Sequence, residues 1–118
     1  MLSMPLLKLE TTVVLPEDKR QALLASLSKT VAEIIGKPQQ YVMVTARQVA
    51  IQMSGSPGDA AFVDVRSIGG LTDEVNRKLS QKVSQLLHDS LGIPVNRIYL
   101  NFTDVQARHW GWNGSMFG

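Results

Sequence analysis

Gly36-Lys37-Pro38-Gln39-Gln40-Tyr41-Val42-Met43-Val44 and Gly92-Ile93-Pro94-Val95-Asn96-Arg97-Ile98-Tyr99-Leu100 decide the fold, because both segments follow one plan. Each opens on a glycine suited to the left-handed position that ends a helix. Each places a proline two residues later, where it blocks further helix, and then runs into apolar and β-branched residues that suit a strand. Upstream of the first copy, Leu23, Leu27, Val31, Ile34 and Ile35 recur at helical spacing; upstream of the second, Val75, Leu79, Val83, Leu86, Leu87 and Leu91 do the same. Pro16 suits the first helical position, with Glu17 and Asp18 in the first turn where the helix dipole favours negative charge. Thr72 caps the second helix ahead of Asp73 and Glu74.

Outward again, each helix is preceded by a strand. Leu7 and Leu9 alternate with Lys8 and Glu10 in the stretch Leu6 to Val14, and Ala61, Val63 and Val65 alternate with Asp64 and Arg66 in Ala61 to Ile68. Met53 to Asp59, with its Gly, Ser and Pro, separates the halves as a turn, and Gly69-Gly70 breaks the third strand. Arg97 to Thr103 is the last strand. Tyr41 to Thr45 has apolar residues on both faces and is expected to be covered on both sides. A displacement of 56 residues, the separation of Gly36 and Gly92, also carries Leu23 onto Leu79, Ser28 onto Ser84 and Pro38 onto Pro94. Two βαβ units follow, spanning about 5–60 and 61–118 of one domain that covers 1–118. They give an α/β (α+β) fold, a four-stranded mixed sheet with two antiparallel helices on one face. The other face lacks a cover; Tyr41, Met43, Ala61, Val63 and Val65 are expected to place apolar side chains there, which predicts self-association through sheets.

Composition narrows the function classes. Twelve basic against 10 acidic residues give a net charge of +2, with no basic stripe of the kind nucleic acid requires. There is no cysteine, so disulfides, thiolate metal sites and thiol redox chemistry are absent. No run approaches a membrane span, and Met1 to Pro5 is too short and not basic enough for a signal peptide, which leaves a cytoplasmic protein as the expectation. His88 and His109 have no partners at zinc spacing, and no serine–histidine triad is visible; neither metal nor cofactor is expected. His88 reads as a solvent-side helix residue.

Met4-Pro5 opens the first strand and allows two roles. If the chain begins at Pro5 after removal of residues 1–4, the proline nitrogen is a secondary amine and a base. If Met4 stays attached, the same nitrogen is an amide whose lone pair is delocalised, and Pro5 only starts a strand. Tyr99 and Asn101, two apart in a strand, share a face, while Ile98, Leu100 and Phe102 face the helices.

The chain resembles the macrophage migration inhibitory factor and D-dopachrome tautomerase family of the tautomerase superfamily. The likeness runs through Met4-Pro5, Gly36 to Val42, Ser67-Ile68-Gly69-Gly70, Asn96 to Asp104 and Gly111-Trp112-Asn113-Gly114-Ser115. It is similar to a microbial-type member, since Ala60 and Val63 stand where animal members carry Cys-x-x-Cys. The resemblance implies a homotrimer with active sites between subunits and a keto–enol tautomerase acting on phenylpyruvate-type aromatic 2-oxo acids, with dopachrome-like compounds as further substrates. It implies Pro5 as general base and acid. It implies Lys37 as a contact for the substrate carboxylate, the Ile68 main chain as an oxygen-binding group, Tyr99 and Asn101 as donors from a neighbouring subunit, and Trp112 as a cover for the aromatic ring. Trp110 stands where a smaller aliphatic is usual and is expected to narrow the pocket. The alternative is a binding or signalling trimer with a vestigial pocket; a small-ligand regulatory domain is disfavoured by the Pro, Lys, Tyr and Asn set.

Overall fold

A computed structural model describes residues 4–118, so the expectation for residues 1–3 lies outside the described residues. The order is β1 (Leu6–Thr11), α1 (Glu17–Ile35), β2 (Met43–Gln48), β3 (Ala61–Ser67), α2 (Asp73–Leu91) and β4 (Ile98–Asp104), then a short hairpin of β5 (Gly111–Trp112) and β6 (Ser115–Met116). One-turn 3-10 helices at Gln39–Tyr41 and Val95–Arg97 lead into β2 and β4, and a third spans Ala107–His109. The sheet order is β2-β1-β3-β4; both outer pairs are parallel and the central pair is antiparallel.

The 56-residue repeat is built into the register. Leu6 lies opposite Met43 and Ala61 opposite Ile98, an offset of 37 residues in both halves. The displacement that superposes the halves carries Lys8 onto Asp64, and these two face each other across the central pair, so the pseudo-two-fold axis passes through an opposite-charge pair. Both helices end as their sequences require. Gly36 has φ +79° and its amide donates to the Ala32 carbonyl at 2.9 Å; Gly92 has φ +71° and donates to the His88 carbonyl at 2.9 Å. The Thr72 hydroxyl accepts from the Val75 amide at 3.2 Å. Pro16 lies just before α1 in extended backbone, one residue outside the helix it was expected to open.

The core lies between the helices and one face of the sheet. Leu7, Leu9, Val63 and Val65 meet Leu27, Val31, Leu79, Val83 and Leu87, all fully buried. Each such side chain contributes about 1.5–3 kcal/mol by leaving water. Among the described residues no helix is long and apolar enough to cross a membrane.

Two expectations about the sheet are corrected. Ala61, Val63 and Val65 face the helices, not the open side, because their row pairs with Leu7, Leu9 and Thr11. The open face instead carries Met43, Phe62, Tyr99 and Asn101 among Lys8, Glu10, Asp64 and Arg66. The second strand is an edge strand beginning at Met43, after a 3-10 turn, and is not covered on both sides within the chain: Met43 is 64% exposed.

Candidate active site

Pro5 sits one residue ahead of β1, where its missing N–H leaves the ladder unharmed. Its carbonyl accepts the Met43 amide at 3.0 Å. In a strand a residue's N and O point to the same side, so the Pro5 nitrogen is also directed toward the chain entering β2. A cleft of about 540 Å³ occupies that side, lined by Met4, Pro5, Leu6, Gln40 to Met43, Trp110, Gly111 and Trp112. Its walls are mostly apolar and the Pro5 side chain is fully buried. Such surroundings disfavour a charged amine and would lower the pKa of a free proline nitrogen. Met4, also buried, covers the nitrogen in the described chain. While it is attached that nitrogen is an amide and no base.

The rim is braced by the C-terminal hairpin. Gly111 pairs with Met116 and Trp112 with Ser115, and the Phe117 amide donates to the Trp110 carbonyl at 3.1 Å. The Trp112 and Phe117 rings stack with centroids 6.0 Å apart and planes 12° from parallel. Trp112 therefore presents a supported aromatic surface, half exposed, at the mouth of the cleft. Trp110 lines the same space.

The remaining expected residues are placed separately. Lys37 is half-buried in the turn after α1, three residues before the cleft-lining Gln40; its amide donates to the Ala32 carbonyl at 3.0 Å. Ile68 is buried and lines a second cleft of about 430 Å³ with Gly69, Asp104, Val105, Gln106 and Ala107. There Asp104 Oδ1 takes the Gly69 amide at 3.0 Å. Tyr99 and Asn101 lie on the open face of the edge strand β4, opposite Phe62 and Asp64, with β3 between them and β1. One chain thus brings Pro5 and Trp112 to one cleft and leaves Lys37, Ile68, Tyr99 and Asn101 outside its lining. Gln40 and Val42 were not singled out by sequence; the available signal was their position between the Gly36 cap and a strand running parallel to Pro5. His88 is exposed on α2, its Nδ1 2.9 Å from the Ile93 carbonyl oxygen. Among the described residues no group of three or more His, Asp or Glu is gathered for a metal.

The family model for macrophage migration inhibitory factor matches residues 4–118, so the match begins at Met4. A macrophage migration inhibitory factor homolog of Trichuris trichiura is 39% identical over 115 residues, covering 97% of this chain and 100% of the relative. The macrophage migration inhibitory factor of Meriones unguiculatus is 38% identical over 98 residues, covering 82% and 85%. Among solved structures, the homologue from Prochlorococcus marinus superposes with a TM-score of 0.91 at 40% identity, covering 96% of this chain and 99% of that one. The Entamoeba histolytica protein superposes with a TM-score of 0.93 at 30% identity, covering 97% and 99%. With the repeat, the sheet order and the proline-headed cleft, these place the chain in the macrophage migration inhibitory factor family, within the tautomerase superfamily.

Proposed function

We propose that the protein is a cofactor-independent keto–enol tautomerase of phenylpyruvate-type 2-oxo acids, with Pro5 as the proton carrier once it begins the chain. The observation that carries this is the buried Pro5, its nitrogen directed into a mostly apolar cleft with an aromatic rim. A free secondary amine there is held toward its neutral form, since burial penalises the ammonium, and a neutral amine at physiological pH is a competent general base. It takes a proton from the carbon beside the substrate carbonyl. The electron pair moves to the carbonyl oxygen, and the prolinium returns the proton to that oxygen, leaving the amine as it began. The reverse sequence converts enol to keto. Lys37 draws the substrate carboxylate, and its positive charge adds to the depression of the amine pKa. Trp112 covers the ring. A homotrimer supplies the rest: Tyr99 and Asn101, exposed on an open sheet face and remote from Pro5 in their own chain, donate from a neighbouring copy.

The test compares the chain beginning at Pro5 with the chain retaining residues 1–4, each verified by intact mass, in a phenylpyruvate enol-to-keto assay. The first form should turn over substrate, and both the retained form and Pro5→Gly in the short form should be slower by about 100-fold or more. Equal rates in the two forms would remove Pro5 from the chemistry. The burial of Met4, which closes over the proline nitrogen at 7% exposure, favours a second reading: a binding trimer whose pocket has lost its base. Intact mass of the native protein showing Met4 retained, together with no turnover, selects that reading.

A further inference from the structure

The turn of the terminal hairpin is Asn113-Gly114, the one Asn-Gly pair in a sequence with four asparagines. Both residues lie in the left-handed region, Asn113 at φ +54° and Gly114 at φ +76°, as a two-residue hairpin turn requires. Both are exposed, and the space that a Cβ on Gly114 would enter is open. Among the described residues neither the Asn113 carboxamide nor the Gly114 amide makes a hydrogen bond. The hairpin that holds the turn is small. It consists of the pairs Gly111–Met116 and Trp112–Ser115, with the Phe117 bond to the Trp110 carbonyl behind them. So short a ribbon opens locally at little cost.

These features together make a reactive pair. With no side chain on Gly114 to obstruct it, the Gly114 nitrogen can reach the carboxamide before it. The nitrogen attacks Asn113 Cγ, the Cγ–Nδ2 bond breaks, and ammonia leaves with the Gly114 amide proton. A cyclic succinimide remains, and water opens it at either carbonyl. Opening at Cγ leaves an aspartate. Opening at the main-chain carbonyl leaves an isoaspartate, whose main chain runs through Cβ and Cγ and is one atom longer. Water is the only reactant added. The other asparagines are guarded: Asn76 lies within α2, Asn101 within β4, and Asn96 precedes Arg97, whose amide donates to the Pro94 carbonyl at 2.9 Å. Arginine or phenylalanine follows each of them.

We propose that Asn113-Gly114 is a self-modifying site, at which deamidation through a succinimide ages the cleft by way of its rim. Trp112 stands directly before the turn, lines the Pro5 cleft and stacks on Phe117. A longer main chain no longer fits a two-residue turn, so isoaspartate breaks the Trp112–Ser115 pairing and the ring stack together. Aspartate keeps the turn and adds a negative charge beside the mouth. The chemistry at Asn113 stands by itself; its effect on turnover rests on the tautomerase reading.

The experiment ages the chain beginning at Pro5 in mildly alkaline buffer at physiological temperature. Site-resolved peptide mass follows the conversion, and an isoaspartyl methyltransferase scores isoaspartate. Asn113 should convert at least about tenfold faster than Asn76, Asn96 or Asn101. The isoaspartate form, separated by chromatography, should lose the Trp112–Phe117 signal in near-ultraviolet circular dichroism. Its KM for phenylpyruvate should rise about tenfold, the scale of a lost aromatic contact. Asn113→Asp should keep the dichroism and raise KM about twofold. Asn113→Gly suits the same turn without a carboxamide, and on ageing it should stay unmodified and hold its KM. Conversion at Asn113 no faster than at the other asparagines would overturn the proposal. An isoaspartate form with unchanged dichroism or unchanged KM would overturn the link to the rim. Fast conversion with loss of dichroism, but no turnover in fresh or aged protein, would keep the site and remove the tautomerase.

Discussion

The two ends of the sheet share one backbone plan and differ in how they are finished. At the end built by the second half, Arg97 reaches into the loop 49–60. Its guanidinium donates to the carbonyls of Asp59 at 2.9 Å, Ser56 at 3.2 Å and Gly58 at 3.3 Å, with the Met53 carbonyl and Ser56 Oγ at 3.4 Å. Ala61 begins the strand there, and Ile93 in the Gly-x-Pro turn is fully buried. At the other end the displacement by 56 residues substitutes Tyr41 for Arg97, Pro5 for Ala61, Lys37 for Ile93 and Trp112 for Ser56. The guanidinium that fills the first end has no counterpart, and the space beside Tyr41 is the Pro5 cleft. The repeat supplies a scaffold, and the proline-headed cleft lies where one copy departs from the other.

The most direct way to break this difference is Lys37→Ile, which gives the first turn the residue of the second. In the chain beginning at Pro5 it should raise the KM for phenylpyruvate about tenfold or more, measured by steady-state kinetics, without unfolding the protein. Arg97→Ala should undo the closed end. Losing this half-buried clamp should cost about 2 kcal/mol, lower Tm by several degrees in a melting scan, and speed proteolysis within 53–59. The smallest contrast compares the buried hydroxyls of Thr11 and Ser67, which the 56-residue displacement relates. Thr11→Val deletes the donor to Ala60 and the acceptor for the Val13 amide, and should cost about 1–2 kcal/mol by denaturant titration. Ser67→Ala in the chain retaining residues 1–4 deletes a hydroxyl with no described partner and should cost less than about 0.5 kcal/mol or stabilise.

The fold was legible because its punctuation is local. Gly36 and Gly92 need positive φ, Pro38 and Pro94 forbid more helix, and the leucine and valine stripes mark one helix face, so each sign could be read within a few residues. The open face was misread because alternation tells only that Val63 and Phe62 lie on opposite sides. Which side meets the helices depends on pairing with Leu7 and Leu9, fifty or more residues away. Part of the site was legible for the reason the fold was: Pro5 and Trp112 are brought to one cleft by β1 and the terminal hairpin. Tyr99 and Asn101 share a face, as spacing required, but no property of a single strand says whether that face serves its own chain or another.

The common offset of 37 residues also bears on how the chain reaches this structure. Strand pairing within each half closes 37 residues, and the central pairing closes from 50, at Thr11–Ala61, to 60, at Leu6–Arg66. These lengths differ by less than one doubling, so loop closure separates them by less than about 0.6 kcal/mol. Neither half has an entropic lead over its union with the other. A half on its own would leave one edge of β1 or β3 unpaired and its helix stripe only partly covered. The duplicated unit is therefore a unit of pattern and not of folding, and the central pair is the step on which both copies depend.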